Sequence, residues 1–148
     1  MHIVIEGPDG AGKTVLAKRL AETLGMDYRH EGPPPAGVDA FKHYIGMLRT
    51  MPTVFDRFAF GEMVYGPLLR GKSGVTFAEL LLLRDVLRLT HSRVVLCLPP
   101  FDACLANMKD RKELITDPEQ IRSAYDRWIE FSTMRNLGIF NKIYDYTA

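Results

Sequence analysis

Met1-His2-Ile3-Val4-Ile5-Glu6-Gly7-Pro8-Asp9-Gly10-Ala11-Gly12-Lys13-Thr14 opens the chain, and from Gly7 to Thr14 it fits G-x-x-x-x-G-K-[ST] without a gap. The pattern names a chemistry: a glycine-rich turn whose amides cradle polyphosphate, a lysine for the phosphate oxygens, and a hydroxyl for Mg²⁺. Its surroundings agree. His2-Ile3-Val4-Ile5 is a β-rich run, and Val15-Leu16-Ala17 through Leu24 carries helical apolar spacing, so the loop joins a strand to a helix. Glycines let the backbone approach phosphates closely, and the helix N-terminus adds a positive dipole end. Gly7, Asp9, Gly10, Ala11, Gly12, Lys13, Thr14 and Val15 are thereby assigned to the phosphates of ATP.

The rest of the composition narrows the class. A chain of 148 residues is one domain, large enough to bury a core without metal or disulfide help. Net charge is +1, so any basic site must be local rather than global. Cys97 and Cys104 lack metal-site spacing and read as reduced core thiols. No signal pattern precedes the P-loop, and Leu80–Leu83, the longest apolar stretch, is far too short to span a membrane. These features place the chain in the cytoplasm with no membrane partner.

Outward from the P-loop, periodicity and turn residues divide the chain. A short strand at Met26–His30 runs into the rigid Glu31-Gly32-Pro33-Pro34-Pro35-Ala36-Gly37 loop, and a helix follows from Val38 or Asp39 to Arg49. Thr53-Val54-Phe55 is a buried-type strand, and Phe58–Leu69 reads as helical, closed by Gly71. Thr76–Thr90 is the most apolar helix. Arg93–Leu98 is the clearest strand, stopped by Pro99-Pro100. Phe101–Met108 is helical, Lys109–Ile115 is a charged loop, and Asp117–Met134 is a helix capped by Thr116. Lys142–Tyr146 supplies the last strand. Five short strands alternating with helices predict a parallel sheet covered on both faces, with ligands beyond the strands' carboxyl ends.

That rule singles out Asp56-Arg57-Phe58. Asp56, at the end of the third strand, would project towards the Mg²⁺ held by Thr14 and orient a metal-bound water. Arg57 can hold either the acceptor's phosphate or the transferring one through paired N–H bonds.

Glu6-Gly7-Pro8-Asp9-Gly10-Ala11-Gly12-Lys13-Thr14 resembles the thymidylate kinase form of the P-loop, EGxDGxGK[ST]. Asp56-Arg57-Phe58, with Tyr65 nine residues after the Asp, resembles that family's DR-aromatic motif. Glu31-Gly32-Pro33 is similar, less closely, to the turn after the second strand in thymidylate and deoxynucleoside kinases. The resemblance covers roughly the first half; beyond it, mainly the order of elements matches. It implies an α/β P-loop fold, a three-layer sandwich over residues 1–148 with five parallel strands in the order 2-3-1-4-5 and a lid at about 109–116. It implies ATP as donor and Mg²⁺ as cofactor. Lys13 would bridge the donor β- and γ-phosphates, Asp9 would reach the acceptor sugar, and Arg57 would orient the acceptor phosphate. Phe58 or Tyr65 would pack on the base or sugar, Arg84 would lie on the base side, and Arg111 would bring a guanidinium from the lid. Homodimers occur in such a reading.

Departures temper the match. Val15 stands where a second hydroxyl is common, Gly61-Glu62 replace serines, and Tyr146-Thr147-Ala148 leave little for the segment that usually flanks the donor adenine. A compact phage-type kinase, acting in the host cytoplasm, fits this reduction. A GTPase is disfavoured because Asn141-Lys142-Ile143-Tyr144 ends in Tyr where Asp binds guanine. A motor ATPase is disfavoured because Arg93–Leu98 ends without a carboxylate. The main reading is phosphoryl transfer to a deoxynucleoside monophosphate. A hydroxyl acceptor, either a deoxynucleoside or a hydroxymethylated pyrimidine within DNA, would need a base, and Glu31 is placed to serve. A nucleotide-binding regulator without catalysis is the reading from another class.

Overall fold

A computed structural model of the chain describes residues 1–109 and 117–148. In chain order it contains β1 (Ile3–Glu6), α1 (Lys13–Leu24), β2 (Asp27–His30), α2 (Ala40–Met47) and β3 (Thr53–Asp56). These are followed by α3 (Glu62–Arg70), α4 (Phe77–Leu89), β4 (Arg93–Cys97), α5 (Phe101–Met108), α6 (Pro118–Thr133) and β5 (Lys142–Tyr144). The sheet has five strands in the order β2-β3-β1-β4-β5, and every pairing is parallel.

Strand alternation sends neighbouring residues to opposite faces. Ile3 and Ile5 pack with Ala17, Ala21 and Cys104 on the side of α1 and α5. Val4, Phe55 and Leu96 pack on the other side with Leu80, Leu83 and Leu87 of α4 and with Trp128 and Phe131 of α6. Each of those three leucines is fully buried, worth about 1.5–3 kcal/mol apiece in area removed from water. Both cysteines are free and buried. Burial pushes the Cys97 thiol up to about 12 and the Cys104 thiol up to about 11.

Local chemistry sets the element ends and corrects several expectations. Asp117, not Thr116, caps α6, accepting from the Glu119 amide at 2.9 Å, with Pro118 in the first turn; Thr116 lies outside the described residues. Asp39 caps α2 through the Lys42 amide, and Thr76 and Glu79 form a capping box on α4. The helix expected from Phe58 starts later. Phe58 is extended (φ −153°), Ala59–Gly61 form one tight 3₁₀ turn, and α3 begins at Glu62. The last strand ends at Tyr144 rather than Tyr146. No helix among the described residues is long and apolar enough to cross a membrane.

Candidate active site

Three loops meet beyond the carboxyl ends of β1, β2 and β3. The first is the P-loop. Gly10 and Gly12 take left-handed φ values of 75° and 82°. A Cβ at Gly10 would collide with the Cys104 carbonyl, and one at Gly12 would press on the Tyr146 ring at 3.2 Å. Glycine is therefore required twice over at Gly10, by dihedral and by space. Gly12 offers no side chain to cap α1, which leaves first-turn amides for a ligand. Lys13 is buried and donates from Nζ to the Pro8 carbonyl at 2.6 Å. Burial, aided by the Arg57 charge, lowers its pKa; Asp9 and Asp56 oppose the shift.

Asp56 ends β3 in complete burial. Its Oδ2 accepts three hydrogen bonds: Thr14 Oγ1 at 2.6 Å, the Tyr28 hydroxyl at 2.8 Å and His30 Nδ1 at 3.1 Å. Its Oδ1 is buried with no partner among the described residues. Burial alone would raise this carboxyl, but the bonds from Thr14, His30 and Tyr28 outweigh it and hold Asp56 below the ordinary value. Tyr28, partly buried and bound to Asp56, is pushed up to about 12. His30 faces Asp56 directly across the β2–β3 register. Thr14 and Asp56 thus bring together a hydroxyl and a carboxylate of the kind that would hold Mg²⁺ beside a P-loop, and the free carboxylate oxygen would fit a metal-bound water.

Arg57 takes a left-handed φ of 81°. It donates from Nη2 to Asp9 Oδ1 at 2.6 Å and lies over the Tyr65 ring at 6.0 Å, with Nε buried and without a partner among the described residues. Burial works against its charge, yet Asp9 and the neighbouring groups hold its pKa above the ordinary guanidinium value.

Arg57 borders a small pocket of about 40 Å³. Arg57, Glu31 and Gly7 lie on its wall together with Phe58, Tyr65, Tyr44, Glu62 and Arg70. Glu31 pairs with Arg29 at 2.5 Å and has His43 at 3.9 Å. Phe58 lies on the pocket wall but belongs to the core, packed on Tyr44, Phe55 and Phe60. Tyr65, also buried, receives the Trp128 indole N–H at 3.3 Å. Val15, 57% exposed, lies instead in a second cleft of about 250 Å³ with Gly12, Leu16, Arg19, Asn107, Tyr144 and Tyr146.

Arg84 does not join the group. α4 descends towards the start of β4, and Arg84 donates to the Leu137 carbonyl at 2.7 Å and to Asp85 at 2.9 Å. Its direction along the helix, which spacing alone does not reveal, carries it away from the strand ends that hold the P-loop. Arg111 and the rest of the lid over 110–116 lie outside the described residues.

Sequence reasoning missed four participants. Tyr28 and His30 approach Asp56 only because β2 lies beside β3. Glu62 and Arg70 pair across the pocket wall, with Arg70 Nη2 2.6 Å from Glu62 Oε2. Their eight-residue separation within and around a helix gave no pattern to read.

The glycine-rich loop after β1 and the strand order together define a P-loop α/β domain. No family model matches the chain. Protein STAR1 of Oryza sativa subsp. japonica is 31% identical over 122 residues, covering 76% of this chain and 34% of that protein. Cytidylate kinase of Fervidobacterium nodosum is 45% identical over 49 residues, covering 32% of this chain and 22% of that enzyme. The chain thus spans only 34% and 22% of these relatives' lengths. Among solved structures, YorR of Bacillus subtilis, in complex with phosphorylated GDP, superposes with a TM-score of 0.80 at 21% identity, over 99% of this chain and 85% of that one. Deoxyadenosine kinase of M. mycoides, with dCMP and dCDP bound, gives 0.65 at 18% identity, over 100% and 91%. The chain shares the fold of these two structures.

Proposed function

We propose that the chain is an ATP- and Mg²⁺-dependent phosphotransferase whose acceptor is a deoxynucleoside monophosphate. The observation that carries this reading is a buried polar atom without a partner among the described residues on each of two consecutive residues, Asp56 Oδ1 and Arg57 Nε. One is an acceptor on the carboxylate that binds Thr14 and the other a donor on an arginine lining the pocket. Buried polar groups are nearly always satisfied, so two orphans at one strand end point to ligands on both sides.

Bound Mg²⁺, held by Thr14 directly and by Asp56 through water, would neutralise charge on the donor phosphates. Lys13 leaves the Pro8 carbonyl for the β- and γ-phosphate oxygens. Its burial strengthens that interaction by excluding water. Arg57, steadied by Asp9, binds the acceptor phosphate and fixes its attacking oxygen in line with the γ-phosphorus. The new P–O bond forms as the bond to the β-bridging oxygen breaks, and ADP departs. Positioning and charge neutralisation account for most of such catalysis. Arg111 adds a guanidinium from the lid in this reading. Phe58 and Tyr65 wall the acceptor, and the cleft beside Val15 and Tyr146 receives the donor base.

The position of Glu31 on the same pocket wall favours one second reading, a deoxynucleoside whose hydroxyl needs a base. The test is transfer from γ-labelled ATP with Mg²⁺ to a panel of deoxynucleosides, their monophosphates, and plain and hydroxymethylated DNA. Label on a monophosphate, abolished by Lys13→Ala without unfolding, is expected. Label on a nucleoside, lost in Glu31→Gln, would replace the acceptor. Near-wild-type activity of Lys13→Ala would sink the assignment.

A further inference from the structure

Glu6 ends β1 and is only 2% exposed. Its two oxygens reach different points of the turn that follows β3. Oε1 accepts from the Phe58 amide at 3.0 Å, and Oε2 accepts from the Gly61 amide at 2.6 Å. Just before this turn the chain passes through Arg57 at φ 81°, a conformation that costs a residue with a Cβ about 1–2 kcal/mol. The Arg57 amide itself donates to the Ile5 carbonyl at 2.9 Å. Consecutive residues of β1, Ile5 and Glu6, therefore tie down the backbone from residue 57 to residue 61.

Strain of this kind persists only where surrounding bonds over-determine it. Here the result is an aimed guanidinium. Arg57 meets Asp9 at 2.6 Å and crosses the Tyr65 ring, while Nε has no partner among the described residues. Were residue 57 to relax to an ordinary right-handed or extended conformation, its side chain would leave that position.

We infer that Glu6 is a positioning residue: its carboxyl oxygens clamp the Phe58–Gly61 turn and so hold Arg57 in the strained backbone that aims it at the acceptor. This role rests on the phosphotransfer reading above. Burying a carboxyl is costly, and burial pushes Glu6 up to about 8 even though Phe58, Gly61, Lys13 and Arg57 all pull the other way. A geometric duty accounts for a carboxyl retained at that cost.

The test is a double-mutant cycle of Glu6→Gln with Arg57→Ala, read as kcat/KM for the acceptor that the panel identifies, with thermal melts of each variant. Glutamine keeps the shape but turns one accepting oxygen into a donor, leaving one of the two amides unpaired. Glu6→Gln alone is expected to lose ~10–100-fold and Arg57→Ala ~100–1000-fold, with the double variant within ~3-fold of Arg57→Ala. Multiplying losses would show Glu6 acting independently of Arg57 and would overturn the inference. Amide hydrogen exchange on the wild-type chain decides the clamp even where Glu6→Gln does not fold. Phe58 and Gly61 should exchange as slowly as the buried strand amides of Ile5 and Phe55, and loss of their protons within seconds would overturn it. Failure of the wild-type chain to transfer phosphate would strike the phosphotransfer reading alone.

Discussion

Replacing Asp56 by asparagine separates what this carboxylate does for the fold from what it does for the reaction. In the wild type, Oδ2 gathers Thr14, Tyr28 and His30, and Oδ1 has no partner among the described residues. Asparagine can turn its oxygen to the same three donors and place its amide nitrogen where Oδ1 was. Hydrogen bonds to a charged group contribute about 1.5–3 kcal/mol and neutral ones about 0.5–1.5, so the three together lose about 3 kcal/mol. Against this, a fully buried charge is removed, and desolvating a carboxylate costs several kcal/mol. The two effects nearly cancel. Asp56→Asn should therefore lie within about 2 kcal/mol of wild type, a Tm shift of up to about 8 °C for a domain of this size. Catalysis has no such compensation, because an amide nitrogen cannot accept from a metal-bound water. A loss of roughly 100-fold or more in kcat/KM is expected, with a raised Mg²⁺ requirement. Thermal melts and Mg²⁺ titrations of the transfer rate decide it. A variant that keeps its activity within ~3-fold would refute the role of Oδ1, and one that unfolds at room temperature would refute the cancellation.

Other outcomes follow from the same geometry. Gly10→Ala and Gly25→Ala both place a methyl at left-handed φ (75° and 63°), but only the first meets a carbonyl; Gly25 faces open space. Both should lose about 1 kcal/mol from the dihedral, with Gly10→Ala losing a further 1–3 kcal/mol, measured by urea unfolding. Glu6 and His2 should tilt the pH dependence of stability in opposite directions. Glu6 is raised from 4.5 to about 8, so its contribution is full below the unfolded value and is lost as pH rises through 8. Burial lowers His2 below 6.5, although the Leu48 carbonyl pulls the other way. His2 receives the Thr53 amide on Nδ1 and faces the Leu48 carbonyl with Nε2, so it folds neutral, and stability falls as pH drops below 6.5. Unfolding curves of Glu6→Gln and His2→Gln between pH 5 and 8 should each lose one of these slopes. Arg84→Ala should leave the acceptor KM unchanged while lowering Tm modestly through the lost Leu137 contact, and a raised KM would restore its place at the base.

The sequence was most legible where one residue type answers to one local demand. The glycines of the turn after β1, the lysine and threonine after them, and the Asp-Arg pair at the end of β3 all stand where spacing put them. The parallel sheet followed from the alternation of elements, and its strand order from the resemblance. Legibility failed where the demand is tertiary. Tyr28 and His30 became partners of Asp56 through the β2–β3 register, which no local pattern encodes. The late start of α3 traces to Glu6, more than 50 residues earlier in the chain, which holds Phe58 and Gly61 out of a regular helix. Asp117 displaced Thr116 because adjacent residues were both competent caps, and only the backbone decides between them. Arg84 shows that a helix position without its direction is half an answer.

The two thiols beneath the phosphate loop have a practical consequence. Cys97 and Cys104 are buried and hold their protons at neutral pH, so maleimides and iodoacetamides should pass them by. A single cysteine introduced at exposed Lys109, where the described backbone leaves α5, would then be the one reactive sulfur in the native chain. A dye attached there could follow nucleotide arrival at the neighbouring loop in real time, with neither native cysteine removed.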